Sequence, residues 1–197
     1  SPAWSGQHPD SWPPRSYGFA DFGLHAQVPG GRIVGKAVTL RLVKPDAVAV
    51  NKALALLKQG DVLVIDMMGN HTHAPVGAVT ACAAACAGAQ GIIVDGVVTD
   101  IKELKEQGLP VFSRGTSSLT TKRYDGFGSE INVPVHCGNV LVRPGDVVLA
   151  DDNGVLFMDV GLAASVIDEA LASDRAEPSI LARLRAGEPA ANVLVLQ

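Results

Sequence analysis

An α/β fold with a mixed β-sheet or small barrel flanked by helices is predicted by three features of the sequence. Nearly continuous apolar runs (DVLVID at 61–66, GIIVD at 91–95) have the form of strands buried on both faces. An Ala-rich helical stretch lies between them, giving strand–helix–strand order. Several short apolar runs between 131 and 158 are separated by Gly turns, which counts against an open flavodoxin-like sheet.

Residues 1–31 hold Pro, Gly and Trp in little periodic order, and Ser11-Trp12-Pro13-Pro14 cannot sit inside a helix. They are expected to form an extended arm, with Trp4, Trp12, Tyr17 and Phe19 packing at a subunit interface, and residues 32–197 a single domain. Residues 32–43 (RIVGKAVTLRLV) predict a strand and Pro45-Asp46 opens a short helix reaching about Lys58. A strand at 61–67 leads into the loop Gly69-Asn70-His71-Thr72-His73-Ala74-Pro75 and a buried helix over 77–87. Cys82 and Cys86 share one face of that helix and are expected to be small core residues.

After the strand at 91–95, Gly96 to Thr99 turns into a helix over 100–107, with Asp100 placed to cap its first amides. Residues 111–113 predict a short strand. The polar stretch 115–130 is long for a loop in a compact domain, so it is expected to be functional or mobile. Strands are predicted at 132–135, 139–142, 147–150 and 155–158, joined by the Pro144-Gly145-Asp146 and Asp151-Asp152-Asn153-Gly154 turns. The tail from 162 to about 185 predicts one or two amphipathic helices.

The chain has 197 residues, 47% hydrophobic and 18% charged, with net charge −4. That is a globular composition with no electrostatic footprint for nucleic acid or an anionic membrane. No apolar run approaches the roughly 20 residues of a membrane helix. Three cysteines without a framework favour a reducing cytoplasm.

Two loops follow buried strands, where α/β proteins place ligands. The first carries His71 and His73 into a helix start whose backbone N–H groups, on Gly77, Ala78, Val79 and Thr80, form an anion seat by geometry and dipole. The second ends in Thr99-Asp100, and a carboxylate at a strand end is a natural Mg²⁺ ligand.

The ordered set Gly35-Lys36-Ala37-Val38-Thr39, Gly91-Ile92-Ile93-Val94-Asp95-Gly96-Val97-Val98-Thr99-Asp100, Val133-Pro134-Val135-His136-Cys137-Gly138, Val142-Arg143-Pro144-Gly145-Asp146 and Ala150-Asp151-Asp152-Asn153-Gly154-Val155 resembles the RraA-like family. That family includes the 4-hydroxy-4-methyl-2-oxoglutarate and 4-carboxy-4-hydroxy-2-oxoadipate aldolases, divalent-metal enzymes that also decarboxylate oxaloacetate, and a non-catalytic ribonuclease regulator. The resemblance implies a homotrimer or homohexamer with active sites between subunits and Mg²⁺ or Mn²⁺ as cofactor.

The aldolases carry an Asp, twenty intervening residues, then Arg-Asp. Carried over, the last Asp is Asp100, a metal ligand; Thr99 stands at the Arg, and Ala78 at the first Asp. Thr99 supplies no charge to a developing enolate. His71 or His73 could instead move a proton, and Arg114, Lys122 or Arg123 could replace the missing guanidinium. Glu177 resembles a carboxylate contributed to the neighbouring subunit's metal site. The expected function is a metal-dependent lyase acting through an enolate on a small oxo- or hydroxy-carboxylate. The alternatives are an isomerase, dehydratase or cyclase on the same fold, or a non-catalytic binding protein.

Overall fold

The computed structural model describes residues 18–122 and 127–194. Two compact units divide after Asp159.

The first unit is a curled mixed sheet with helices against it, the α/β class expected. Its centre is β3 (Ile33–Arg41), β4 (Asp61–Asp66), β5 (Gly91–Val98) and β6 (Val111–Thr116), parallel neighbours in that order. They are connected through α1 (Ala47–Leu54), α2 (Ala78–Cys86) and α3 (Ile101–Gln107). Antiparallel strands β10 (Val147–Asp151) and β11 (Gly154–Met158) extend the β3 side, and the hairpin of β8 (Val135–Cys137) and β9 (Val140–Val142) forms a separate ribbon.

The apolar runs are continuous because each central strand feeds two cores. Leu63 and Ile65 of β4 pack with Ala49, Val50 and Ala53 of α1 and Ala81 and Ala84 of α2. Val62 and Val64 face the other core, with Ile93, Phe112, Val135, Cys137, Val148 and Phe157.

The sheet closes through a strap within the segment read as an arm. Strand β1 (Gly18–Phe19) pairs with β11 at one edge and β2 (His25–Ala26) with β6 at the other. Six residue steps from Phe19 to His25 reach at most about 21 Å. A flat sheet of eight strands would separate its edges by about 34 Å, so the sheet must curl. Residues 20–24 are held down by Ala20 N–H on Val155 O (2.9 Å), Asp21 N–H on Gly138 O (2.9 Å) and the buried Leu24. Trp4, Trp12 and Tyr17 lie outside the described residues; Phe19 is exposed.

Several local expectations are corrected. Helix α2 is not buried all round: Ala81 and Ala84 face the core, whereas Cys82 and Cys86 are exposed and only Cys137 is a buried thiol. A nine-residue helix of small apolar side chains carries no amphipathic signal, so the sheet chooses the buried face. The strand expected at 132–135 breaks at Asn132, which adopts φ 55°; β7 (Glu130–Ile131) pairs with β3 before it and β8 starts after it. Residues 117–122 of the long polar stretch are laid against two other loops: Ala74 N–H donates to Leu119 O (2.8 Å), Thr121 N–H to Ala74 O (3.2 Å), and Ala47 N–H to Lys122 O (2.9 Å).

The second unit holds α4 (Val160–Arg185), one helix that runs through Pro178, and α5 (Ala190–Val193). No residue of α4 is buried. No helix among the described residues is long and apolar enough to cross a membrane.

Candidate active site

Strands β4 and β5 run in parallel register, Asp66 beside Asp95, so their C-terminal ends release the two loops side by side. Asp100 follows β5 in the left-handed region, at φ 57° and ψ 42°, which Asp tolerates better than most residues. It stands at the cap position of α3 but makes no side-chain bond there, contrary to the capping expected from its position. Its Oδ2 instead accepts the amide hydrogen of Ala78 at the start of α2, at 2.9 Å. Its Oδ1 accepts from the Thr99 hydroxyl at 3.3 Å.

Gly77 makes this contact possible. A Cβ there would collide with Asp100 Oδ2 and lie 2.8 Å from Thr99 Cγ2. The Thr99 amide donates to Val76 O at 2.9 Å, which stitches the two loops together from the other side. Thr99, Asp100, Gly77 and Ala78 therefore form one contact group. The amides of Val79 and Thr80 have no acceptor among the described residues, and Val79 is 85% exposed. One of the expected anion-seating amides, that of Ala78, is occupied by Asp100.

The histidine loop is ordered by Asn70. Asn70 Oδ1 accepts from the amides of Thr72 and His73 and from the Thr72 hydroxyl, each at 3.0 Å. His73 Nδ1 lies 2.9 Å from Thr72 Oγ1 and 3.4 Å from Asn70 Nδ2. Ser117 Oγ donates to Thr72 O at 2.6 Å, tying the loop to the long polar stretch. His71 is exposed, and its ring has no hydrogen-bond partner among the described residues. Lys122 is exposed and its backbone pairs with Pro45 and Ala47. Arg123 lies outside the described residues. Glu177 is exposed on α4, in the second unit.

A second polar group sits at the ends of β5 and β6. Arg114 directs Nη1 and Nη2 at Asp21 Oδ1 (2.9 Å) and Oδ2 (2.8 Å), and its Nε donates to Asp95 Oδ1. Asp95 Oδ2 accepts from the Gly138 amide (2.9 Å), and Asn139 Nδ2 donates to Asp21 Oδ2 (2.8 Å). The Arg114 hydrogen bonds hold the Asp21 carboxyl below its ordinary value, and the two carboxylates raise the guanidinium further. Burial first, then the nearby Asp95 and Asp66, pushes the Cys137 thiol up. Arg114 is thus engaged on all sides and serves the strap. Asp21 and Asn139 could not be found from local pattern, because they meet only across the fold.

Among the described residues no group of three or more His, Cys, Asp or Glu side chains is placed to hold a metal ion. A cation at this site would take one protein ligand from the described residues of this unit, Asp100. That suits Mg²⁺, which keeps several waters and takes further oxygens from substrate.

The RraA-like (Aldolase/RraA) family model matches residues 15–157, well over half of the chain. The chain belongs to the RraA-like family. A Halalkalibacterium halodurans relative, named as a candidate 4-hydroxy-4-methyl-2-oxoglutarate aldolase, is 38% identical over 139 residues. That match covers 71% of this chain and 65% of the relative's length. A relative of the same name from Arabidopsis thaliana is 37% identical over 130 residues, covering 66% of this chain and 76% of its own. Among solved structures, Streptomyces coelicolor RraAS2, described as an unusual member of the RNase ES inhibitor RraA family, superposes with TM-score 0.71 at 28% identity, covering 84% of this chain and 83% of that one. The RNA-processing inhibitor RraA from Thermus thermophilis superposes with TM-score 0.67 at 28% identity, covering 73% and 86%. Within the RraA-like family the matched region takes in both loops of the candidate site and the strap.

Proposed function

We propose that this chain is a divalent-metal-dependent carbon–carbon lyase acting through an enolate on a small oxo- or hydroxy-carboxylate. The observation that carries the reading is the meeting of the Asp100 carboxylate with the N-terminus of α2 at the ends of β4 and β5. The names of the aldolase relatives support it.

In this reading Asp100 holds Mg²⁺ or Mn²⁺, which supplies Lewis acidity toward substrate oxygens. The free amides of Val79 and Thr80, at the positive end of the α2 dipole, seat a substrate carboxylate beside Gly77 and Ala78. Thr99 offers a neutral hydroxyl where the aldolases carry Arg. His71 and His73 supply the proton-carrying side chains, and Lys122 and Arg123 the positive charge that Thr99 lacks. Glu177 reaches the metal site of a neighbouring subunit in a trimer or hexamer, in the cytoplasm.

The test is a titration of metal-stripped protein with Mg²⁺ and Mn²⁺ while pyruvate release from oxaloacetate is followed. Metal-dependent release above the metal-only control is expected. A flat response with metal bound overturns the lyase reading for this substrate class; a product of unchanged mass from an oxo acid then favours an isomerase. The two inhibitor-named structures favour a second reading, a regulatory binding protein. It requires retention of a large ribonuclease partner and no turnover.

A further inference from the structure

Asp100, Leu104 and Gln107 stand at i, i+4 and i+7, one stripe along α3. Leu104 is buried in the core shared with Ala81 and Ala84 of α2, so the stripe faces α2. Both of its polar members reach the same residue there. Asp100 Oδ2 accepts the Ala78 amide hydrogen at 2.9 Å, and Gln107 Nε2 donates to the Ala78 carbonyl at 3.0 Å, across 29 positions. A carbonyl only accepts, so the end of Gln107 that meets it is the NH₂ group, and a second lone pair takes this bond beside the helical one. Helix α3 is about 10 Å long. Gly108, at φ 75°, ends it directly after Gln107, with its amide on Leu104 O at 3.1 Å. Ala78 is therefore held from both ends of one short, capped helix.

The Ala78 carbonyl belongs to the same planar peptide as the Val79 N–H, and in a trans peptide the two point in opposite directions. Holding the oxygen holds the direction of that N–H. It also strengthens the N–H as a donor, because hydrogen bonds in a chain polarise one another. The Val79 amide has no acceptor among the described residues, and Val79 is exposed. We infer that Gln107 is a positioning residue: together with Asp100 it clamps the first turn of α2 and keeps the Val79 N–H aimed and polarised for a substrate carboxylate. The inference rests on the proposed reading of this helix start as the carboxylate seat. Helix ends fray, and a first turn that opens loses its converging amides. Nothing inside α2 guards against this, since Gly77 at the cap position has no side chain and the first turn carries no acidic residue. The clamp from α3 takes the place of a cap.

The test titrates the full ¹⁵N-labelled chain with pyruvate in the presence of Mg²⁺ and follows the Val79 and Thr80 amide resonances by ¹⁵N–¹H correlation. Both are expected to shift and saturate in the wild type. Gln107→Met keeps an unbranched apolar stem and removes the donor. It is expected to move the Val79 resonance before any pyruvate is added, and to weaken pyruvate binding about 5-fold, the loss of one modest hydrogen bond. In the Mg²⁺-dependent oxaloacetate assay KM should rise by about the same factor with kcat little changed, because a carboxylate seat holds substrate and transition state alike. A Gln107→Met chain that melts earlier but keeps the wild-type Val79 resonance and pyruvate affinity overturns the inference, for Gln107 is then a structural contact alone. Wild-type Val79 and Thr80 resonances that ignore pyruvate also overturn it. Pyruvate binding weakened by Gln107→Met in a chain whose wild type has no turnover supports the role of Gln107 and overturns the lyase reading. Turnover whose KM is untouched by Gln107→Met does the reverse.

Discussion

The Asp100 carboxylate accepts the amide hydrogen of Ala78 at 2.9 Å, although 22 positions separate the two residues. Asp100 is thus a cap for α2 and, in the proposed chemistry, the metal ligand. The two roles separate by substitution. Asp100→Asn retains an oxygen for the Ala78 amide and should fold with little loss of stability, while metal-dependent turnover falls roughly 100-fold or more, since a Lewis-acid contribution is worth several kcal/mol. Asp100→Ala should lose the turnover and also about 1 kcal/mol of stability with the cap. Thermal melts and the pyruvate assay check both.

Gly77 lies against Asp100 and Thr99 with no room for a side chain. Its φ of −143° is open to any residue, so the contact alone constrains it. Gly77→Ala should force the two loops apart, cost about 1–3 kcal/mol as an overpacked site does, and reduce turnover. Denaturant unfolding and the same assay measure the two effects.

Asp21 fastens the strap to Arg114, and that pairing holds its carboxyl below the ordinary 3.8. Its stabilising contribution is complete above that ordinary value and is lost as pH falls through the lower, folded-state value. Unfolding followed from about pH 5 down to pH 2 should show a loss of stability for the wild type. Asp21→Asn should be less stable at neutral pH and should lose less on acidification.

Arg114 separates two carboxylates, Asp21 and Asp95. Arg114→Met leaves both without a cation and should destabilise by up to about 3 kcal/mol, the lower end of losses for a broken buried pair, because both acids keep some contact with water. Adding Asp21→Asn to Arg114→Met should recover part of the loss. Urea midpoints of the single and double variants decide this.

Cys82 and Cys86 are exposed, and Cys137 is buried with its thiol pushed up by burial. A thiol reagent should therefore label Cys82 and Cys86 in the folded chain and reach Cys137 only on unfolding. Cys82→Ser and Cys86→Ser should each stay within about 0.5 kcal/mol of wild type.

The sequence by itself determined the α/β class, the central strands and the family. Runs such as DVLVID and GIIVD have strand length and no polar interruption, and the Gly and Pro turns punctuate them. The ordered motifs ran through the loop that ends in Thr99-Asp100, and the loop at 69–75 was legible as one that follows a buried strand. Only the tertiary structure decided who meets whom. The α2 stretch is apolar on every side, so periodicity could not tell Ala81 and Ala84 from Cys82 and Cys86; contact with the sheet did. The Asp21–Arg114 pair spans 93 positions, and the strap forms because both edges of a curled sheet come within reach of one short segment. The same holds for Asp100, whose place at the start of α3 suggested a cap there until the crossover of α2 brought a nearer amide. Local pattern reports the neighbours within a turn or a pleat, whereas these hydrogen bonds exist only once the chain has closed on itself.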